Sequence, residues 1–368
     1  MSAFIIEAAR YHKKKGFNIT LICNMSDDFY FKYRNEFDCI NLNMTRGTSI
    51  FDVIKNTYEL YKIFKFKKFD IIQYATPNAA FYSSIASFMA CVPKRLYCQW
   101  GIRYVGFSGV RRNIFKLIEY LTCSLSTDIR PASEKNRQFS ICEKLYKENE
   151  SSVIGQGGTI GVDFKKFNLD MKADGRNFVL NKYCLRPDDF IFGYVGSLRG
   201  DKGTNELIEA FREMSSTHED IKLVLVGSKF DGDPIKKDLL DWADSSDKVI
   251  FVGAQKDTSK FISSFSVHVH PSYREGFSMV LQEAMALKVP IITTDIPGPS
   301  EVIEQDKSGL LIAPRDVSEL KEAMEKLYSD KEMRLALSES GYKRCVEHFD
   351  REIMLHLTHK DRMNIIFS

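Results

Sequence analysis

The sequence has no stretch of about 18 uncharged apolar residues, the length a membrane-spanning helix needs, so no spanning segment is expected. It also has no C-x-x-C pair. Its eight cysteines (Cys23, Cys39, Cys91, Cys98, Cys123, Cys142, Cys184, Cys345) are scattered, which argues against a zinc ribbon or a disulfide framework and predicts reduced, mostly buried thiols. Internal repeats and low-complexity tracts are missing as well. The opening MSAFIIEAARYHKKKG carries an acidic residue and sets its basic cluster after the apolar residues, the reverse of a secretory leader, so the expected compartment is the cytoplasm. What remains is a chain of 368 residues, 44% hydrophobic, with length enough for two cores.

The net charge of +3 hides an asymmetry: residues 1 to 165 hold 24 Lys/Arg against 15 Asp/Glu, and the rest hold 28 against 34. The basic residues cluster in His12 to Lys15, in the helix-like Tyr58 to Lys68, and in Arg111, Arg112 and Lys116. Mixed with Tyr, Phe and Ile, such clusters are either a docking face for an anionic membrane at the inner side of the plasma membrane or an ordinary solvated helix face.

Short apolar runs alternate with longer helical patterns, the signature of parallel βαβ units. Strands are expected at Ile19 to Cys23, Asp70 to Tyr74, Arg95 to Gln99 and Thr127 to Arg130. In the second half they are expected at Phe190 to Val195, Lys222 to Val226, Val249 to Val252, Ser266 to His270, Pro290 to Thr294 and Gly309 to Ile312. Two doubly wound, Rossmann-like α/β domains facing across a cleft follow, an N-terminal one over 1–166 and a C-terminal one over 167–347. A last helix at 348–368 has no sheet of its own and returns to the N-terminal domain.

The stretch EGFSMVLQE, Glu275 to Glu283, raises a chemical question. Gly276 permits a tight turn between the expected strand and helix, and the amides of Gly276, Phe277, Ser278 and Met279 point out of the helix start, where the dipole favours an anion. Glu283, inside the helix, can accept from a cis-diol such as ribose. Glu275, before the glycine, can reach past phosphates to the group they carry. Together these residues describe a site for a nucleotide diphosphate sugar.

The segment resembles the E-x7-E region of the retaining glycosyltransferases of family four, which have the GT-B fold and build bacterial surface polysaccharides. GYVGSLRGDKGTNELIEAF (Gly193 to Phe211) is similar to that family's phosphate-gripping strand, loop and helix, and TTDIPGPSEVI contains its G-x-x-E turn as Gly298 to Glu301. GGTIGVDFKKF (Gly157 to Phe167) resembles its approach to the inter-domain connection. The resemblance implies that Glu283 holds the ribose, that Gly196, Ser197 and the amides from Gly276 to Met279 hold the diphosphate, that Glu275 contacts the donor sugar, and that Lys202 neutralises the leaving group. It also implies a UDP-linked hexose as donor, a lipid-linked or oligosaccharide acceptor, and no metal or other cofactor, because a lysine and helix amides supply the charge.

The sequence departs from the family in three places. Ser197 stands where an arginine is usual, and Arg199 is expected to reach the same phosphates. CQWGIRY replaces a His-Gly step, so Trp100, Arg103 and Tyr104 are expected to line the acceptor side, with a buried packing role the alternative for Trp100. The first strand of the N-terminal domain is expected to be missing from the sequence as given, through a start codon assigned too far downstream, a truncation or a gap that the sheet tolerates, since a helix-like segment directly precedes the strand at Ile19. His268 and His270 alternate on a strand like a metal pair but have no third ligand in view, so a packed or cleft-lining role is expected of them. Two other functions stay open: a nucleotide-sugar 2-epimerase of the same fold, and a non-catalytic nucleotide-sugar-binding subunit.

Overall fold

Apolar runs covered on both faces by helices become parallel strands, and each of the ten expected strands forms to within one residue at either end. In the computed structural model, which describes residues 2–44, 50–230 and 232–368, the chain divides into two compact units. One is Met1–Ile160 with Met354–Ser368, and the other is Gly161–Ile353. The breaks fall at 160/161 and 353/354, where the sequence reading places them at 166/167 and 347/348.

The second unit is one parallel sheet built from β6 (Phe190–Val195), β7 (Ile221–Val226), β8 (Val249–Gly253), β9 (Val267–His270), β10 (Ile291–Thr294) and β11 (Leu310–Ile312). The strand order is β11-β10-β9-β6-β7-β8. Its core holds Phe192, Tyr194, Leu223 and Leu225 from the sheet against Leu207, Phe211 and Met214 of the helix Thr204–Ser215, all fully buried. Chain direction across the sheet reverses between β6 and β9, which pair through Phe192↔Val267 and Gly193↔His268. Ligands of such sheets bind beyond the carboxyl ends of the strands at that reversal. The loops leaving it are 196–203 and 271–278, the two that carry the sequence motifs.

The first unit holds two separate parallel sheets, β1 (Thr20–Cys23) with β2 (Asp38–Asn41), and β3 (Ile71–Tyr74), β4 (Lys94–Gln99), β5 (Asp128–Pro131) in that order. The helix Ser2–Lys14 precedes β1. β2 was not expected, because its DCIN sequence is short, polar at both ends and never fully buried. The last helix contributes Ile365 to a cluster with Leu96 and Cys98. Arg130 Nε donates to Asp361 at 2.8 Å and Arg362 Nε to Gln73 at 3.0 Å.

All eight cysteines are free, as expected, but the expectation of burial is corrected. Cys98, Cys123 and Cys345 are buried, whereas Cys91, Cys142 and Cys184 are exposed.

Candidate active site

Strand β6 delivers the chain into the loop where Tyr194 Oη donates to the Ser197 carbonyl at 3.1 Å. A single 3-10 turn, Gly200–Lys202, then leads into the helix Thr204–Ser215 through Gly203 in the left-handed region at φ 70°. A Cβ on Gly203 would stand 1.9 Å from the Pro271 carbonyl oxygen. Only glycine lets the loops after β6 and β9 meet this closely. Gly203→Ala is therefore expected to cost about 2 kcal/mol or more in urea unfolding, and a loss under 0.5 kcal/mol would show that the loops tolerate separation.

The approach brings together side chains 73 residues apart. Lys202 Nζ donates to Glu275 Oε1 at 2.6 Å and to the Arg274 carbonyl at 3.3 Å. His270 Nε2 lies 3.0 Å from the same carboxylate oxygen. Burial alone would raise the Glu275 carboxyl, but the His270 hydrogen bond and the Lys202 charge outweigh it and hold it at about 2. Glu275 is thus an anion at neutral pH and can only accept, so His270 presents Nε2–H to it.

Behind His270 runs a buried column of rings. Tyr194 stacks on His270 at 5.8 Å, His268 on His270 at 5.8 Å, and Phe265 on His268 at 6.1 Å. Burial holds His268 well below the usual histidine range, hence neutral. Among the described residues no group of three or more His, Cys, Asp or Glu has metal-holding geometry.

Asp201 organises the loop from the other side. It accepts from Arg199 Nη2 at 2.6 Å and from Arg274 Nη2 at 2.8 Å. Burial pushes its carboxyl up, while the two arginine hydrogen bonds pull it further down, leaving it below the usual range. Arg199, expected at the phosphates, has its guanidinium committed to Asp201 and lies 5.3 Å over the Phe230 ring. Sequence reasoning missed Asp201 and Arg274, and it read His270 as packed or cleft-lining without foreseeing its contact with Glu275. Their only signals were an acid directly before Lys202, an arginine directly before Glu275, and the last position of a strand at the sheet's reversal point.

Glu283 sits in the helix Met279–Ala286, which begins after Ser278 without a side-chain cap. Phe277 anchors the helix start, its ring 5.5 Å from Phe349. Gly298, at φ 94°, closes over it, because a Cβ there would meet the Gly276 carbonyl oxygen at 2.2 Å. The Glu283 carboxyl is half-buried and pushed up to about 7 by burial, with Lys166 and Arg351 pulling down and Asp257 pushing up. No hydrogen bond reaches it from the described residues. The site therefore holds one carboxylate fixed in an ion pair and one carboxyl poised to ionise.

The acceptor-side candidates lie in the first unit. Trp100 is partly buried against Leu96, Cys98 and Ile365. Arg103 donates to Asn78 Oδ1 at 2.9 Å and lies 4.4 Å over Phe115. Tyr104 corrects the expectation. It is fully buried, stacks on Phe139 at 6.3 Å and points its hydroxyl at Glu143, so it packs the core and lines no open surface.

Residues 176–344 match the family model of group 1 glycosyl transferases, and residues 1–129 match a glycosyl transferase 4-like model. Over its length the chain is similar to the capsular polysaccharide biosynthesis glycosyltransferase CapM of Staphylococcus aureus. The two are 30% identical over 343 residues, 93% of this chain and 88% of the relative. The chain belongs to the group 1 glycosyltransferases. A second relative of this glycosyltransferase is the Escherichia coli UDP-Gal:alpha-D-GlcNAc-diphosphoundecaprenol alpha-1,3-galactosyltransferase, 23% identical over 79% of this chain and 75% of that one. The fold of the present chain matches the crystal structure of Anabaena Alr3699/HepE in complex with UDP, with a TM-score of 0.76 at 16% identity over 98% of this chain and 95% of that one. The glycosyltransferase is thus an enzyme with the GT-B fold, as expected from its motifs.

Proposed function

We propose that this glycosyltransferase moves a hexose from a UDP-sugar, with retention at the anomeric carbon, to a lipid-linked or oligosaccharide acceptor in surface polysaccharide synthesis. The observation that carries the reading is the meeting of Lys202 and Glu275 at 2.6 Å, where the sheet reverses and beside the start of the helix that carries Glu283. The relatives' names support the polysaccharide and lipid-linked parts, and the HepE complex supports UDP as the nucleotide.

In this scheme Gly196, Ser197 and the turn from Gly276 to Met279 receive the diphosphate, and Lys202 divides its charge between Glu275 and the departing phosphate. The acceptor hydroxyl oxygen bonds to the anomeric carbon as the bond from that carbon to the diphosphate oxygen breaks, and the hydroxyl proton passes to the leaving phosphate. Purified protein, UDP-hexoses and an undecaprenyl-diphosphate sugar test it. UDP release that depends on acceptor, with an axial product linkage by NMR, is expected, and an inverted linkage or no transfer refutes the reading.

The charge balance at the site comes from Lys202 and the helix start, so transfer is expected to survive EDTA with at least half its rate. Abolition by EDTA and recovery with a divalent ion would show that the charge is supplied otherwise.

No helix among the described residues is long and apolar enough to cross a membrane. The helix Gly109–Ser124 exposes Val110, Ile114, Leu117 and Tyr120 beside Arg111, and the helix Ile50–Lys67 exposes Phe51, Ile54 and Tyr58 beside its lysines. Exposed apolar stripes flanked by cations suit an anionic bilayer surface. The protein is expected to float with acidic vesicles at low salt and to leave them near 1 M, where the screening length is about 3 Å. Glutamine at Lys62, Lys65, Lys67 and Lys68 is expected to weaken flotation while UDP binding persists. Equal flotation of the two proteins would reduce those lysines to a solvated face.

A further inference from the structure

The sheet of the second unit has a pocket at the end opposite its two motif-bearing loops. Phe190 opens β6, Ser266 precedes β9 and Pro290 precedes β10, and these adjacent strands bring their amino ends to a cavity of about 340 Å³. The loops 196–203 and 271–278 leave β6 and β9 at the far end, about 20 Å away along the six residues of β6. The walls are cationic. Lys172 and Arg176 come from the helix Lys172–Lys182, Lys288 from the turn before β10, and Lys331 and Arg334 from the helix Lys331–His348. The acids in the lining are Asp188 and Asp189.

Most of that positive charge is unmatched within the protein. Lys288 pairs with Glu339. Asp189 is taken up by Arg186, which donates to it from Nε at 3.0 Å and from its backbone amide at 2.8 Å. The partly buried cations are held by carbonyls instead: Lys172 Nζ by that of Lys288 at 2.9 Å, Arg176 by those of Ser264 at 3.0 Å and Asp189 at 2.9 Å, and Arg334 by that of Tyr328 at 2.8 Å. Asp330, at the start of the Arg334 helix, is spent on the Met333 amide at 2.8 Å. A carbonyl satisfies an N–H but leaves the unit charge in place. Lys331 is exposed and makes no ion pair among the described residues. Lys172, Arg176, Lys331 and Arg334 therefore face one uncommitted acid, the exposed Asp188. Burial, with Lys288 and Arg176 beside it, lowers the Lys172 ammonium to about 8. Gathering like charges in a half-buried pocket costs stability, and an anion among them offsets that cost.

We propose that this pocket is a second ligand site, separate from the Lys202–Glu275 site, that takes a small anion carrying one or two phosphate groups. Its volume lies at the lower end of the roughly 300–1,000 Å³ of ligand sites, which sets the size. Two guanidinium forks and two ammonium groups are the partners that phosphate oxygens select, and a lone carboxylate brings one charge against four. A free phosphate compound and a phospholipid headgroup share this chemistry. Leu335, exposed at the rim, is where the acyl chain of the second would lie.

The test titrates pyrophosphate into the full chain by calorimetry at pH 7 in about 0.15 M salt, where loose surface attraction is screened beyond about 8 Å. Binding is expected to persist in Lys202→Ala, which removes the cation of the other site. In that background Lys172→Met is expected to weaken it about tenfold or more, and Lys331→Gln, at an exposed position where folding is not at stake, about threefold or more. At pH 8 the bound anion recharges Lys172. The Lys202→Ala protein is then expected to take up about half a proton more than its Lys172→Met derivative, read in two buffers of different ionisation enthalpy. Inorganic phosphate and a short-chain phosphatidic acid separate the sources: tighter binding of the lipid assigns a headgroup, tighter or equal binding of phosphate a free ligand, and either supports the site. Loss of binding in Lys202→Ala, unchanged affinity in either further variant, equal proton uptake, or no binding of pyrophosphate would each overturn the proposal.

Discussion

Replacing Glu275 with alanine is expected to lower kcat about a thousandfold while UDP affinity changes less than about threefold. The carboxylate is bound by Lys202 and His270 and lies before the glycine turn, ahead of the helix whose Glu283 would hold the ribose. Its loss removes a fixed anion from the donor-sugar end and frees Lys202 to sit elsewhere, so the damage falls on turnover. Lys202→Ala is expected to cost about a hundredfold or more, and the double variant less than the product of the two, since the residues act as one unit. Initial rates and calorimetric titration of UDP separate these outcomes, and a Glu275→Ala enzyme within tenfold of the parent would remove the residue from the chemistry. The carboxyl is held at about 2, below its usual 4.5. Its contribution to stability is therefore present above pH 4.5 and lost as pH falls through 2. Between pH 5 and 9 the rate profile should show no inflection from this group.

Glu283→Gln is expected to weaken UDP binding by about ten- to a hundredfold, the loss of one or two hydrogen bonds to a charged acceptor. The pH dependence is more discriminating. The carboxyl is pushed up to about 7 from its usual 4.5, so the folded protein without ligand favours the protonated form, and this contribution to stability fades as pH rises from 4.5 to 7. Ribose hydroxyls donating to the carboxylate favour the ionised form. Affinity should therefore climb from pH 5 to 7 and level off above, with a proton released on binding below pH 7. Titration calorimetry in two buffers of different ionisation enthalpy reads that proton directly, and Glu283→Gln should abolish both the release and the slope. A parent enzyme with no proton release at pH 6 would take Glu283 away from the ribose.

The sheet of the second unit was legible because its strands are mostly apolar and largely buried, and their flanks are not. β2 escaped notice because Asp38–Asn41 has a half-exposed, polar composition that tertiary pairing alone turns into a strand. In the site, the glutamates and Lys202 announced themselves through local motifs. The ion pair between them did not, because it depends on Gly203 touching Pro271 across the sheet's reversal. Arg199 and Tyr104 show the same limit. Long polar side chains were assigned by reach, whereas a neighbouring Asp201 and a partly exposed Glu143 decided where they went.

The division of the chain into Gly161–Ile353 and a first unit made of both ends has a consequence for synthesis. The usual order on the ribosome, in which the N-terminal domain folds first, cannot apply in full here. The unit Gly161–Ile353 is contiguous and complete once residue 353 has emerged, while the earlier residues still wait for Ile365 to cover Leu96 and Cys98 and for Asp361 to meet Arg130. The half of the protein made first is the last to be finished. A nascent chain stalled before its final helix would already hold the complete sheet of the second unit and would still expose an unfinished core to chaperones.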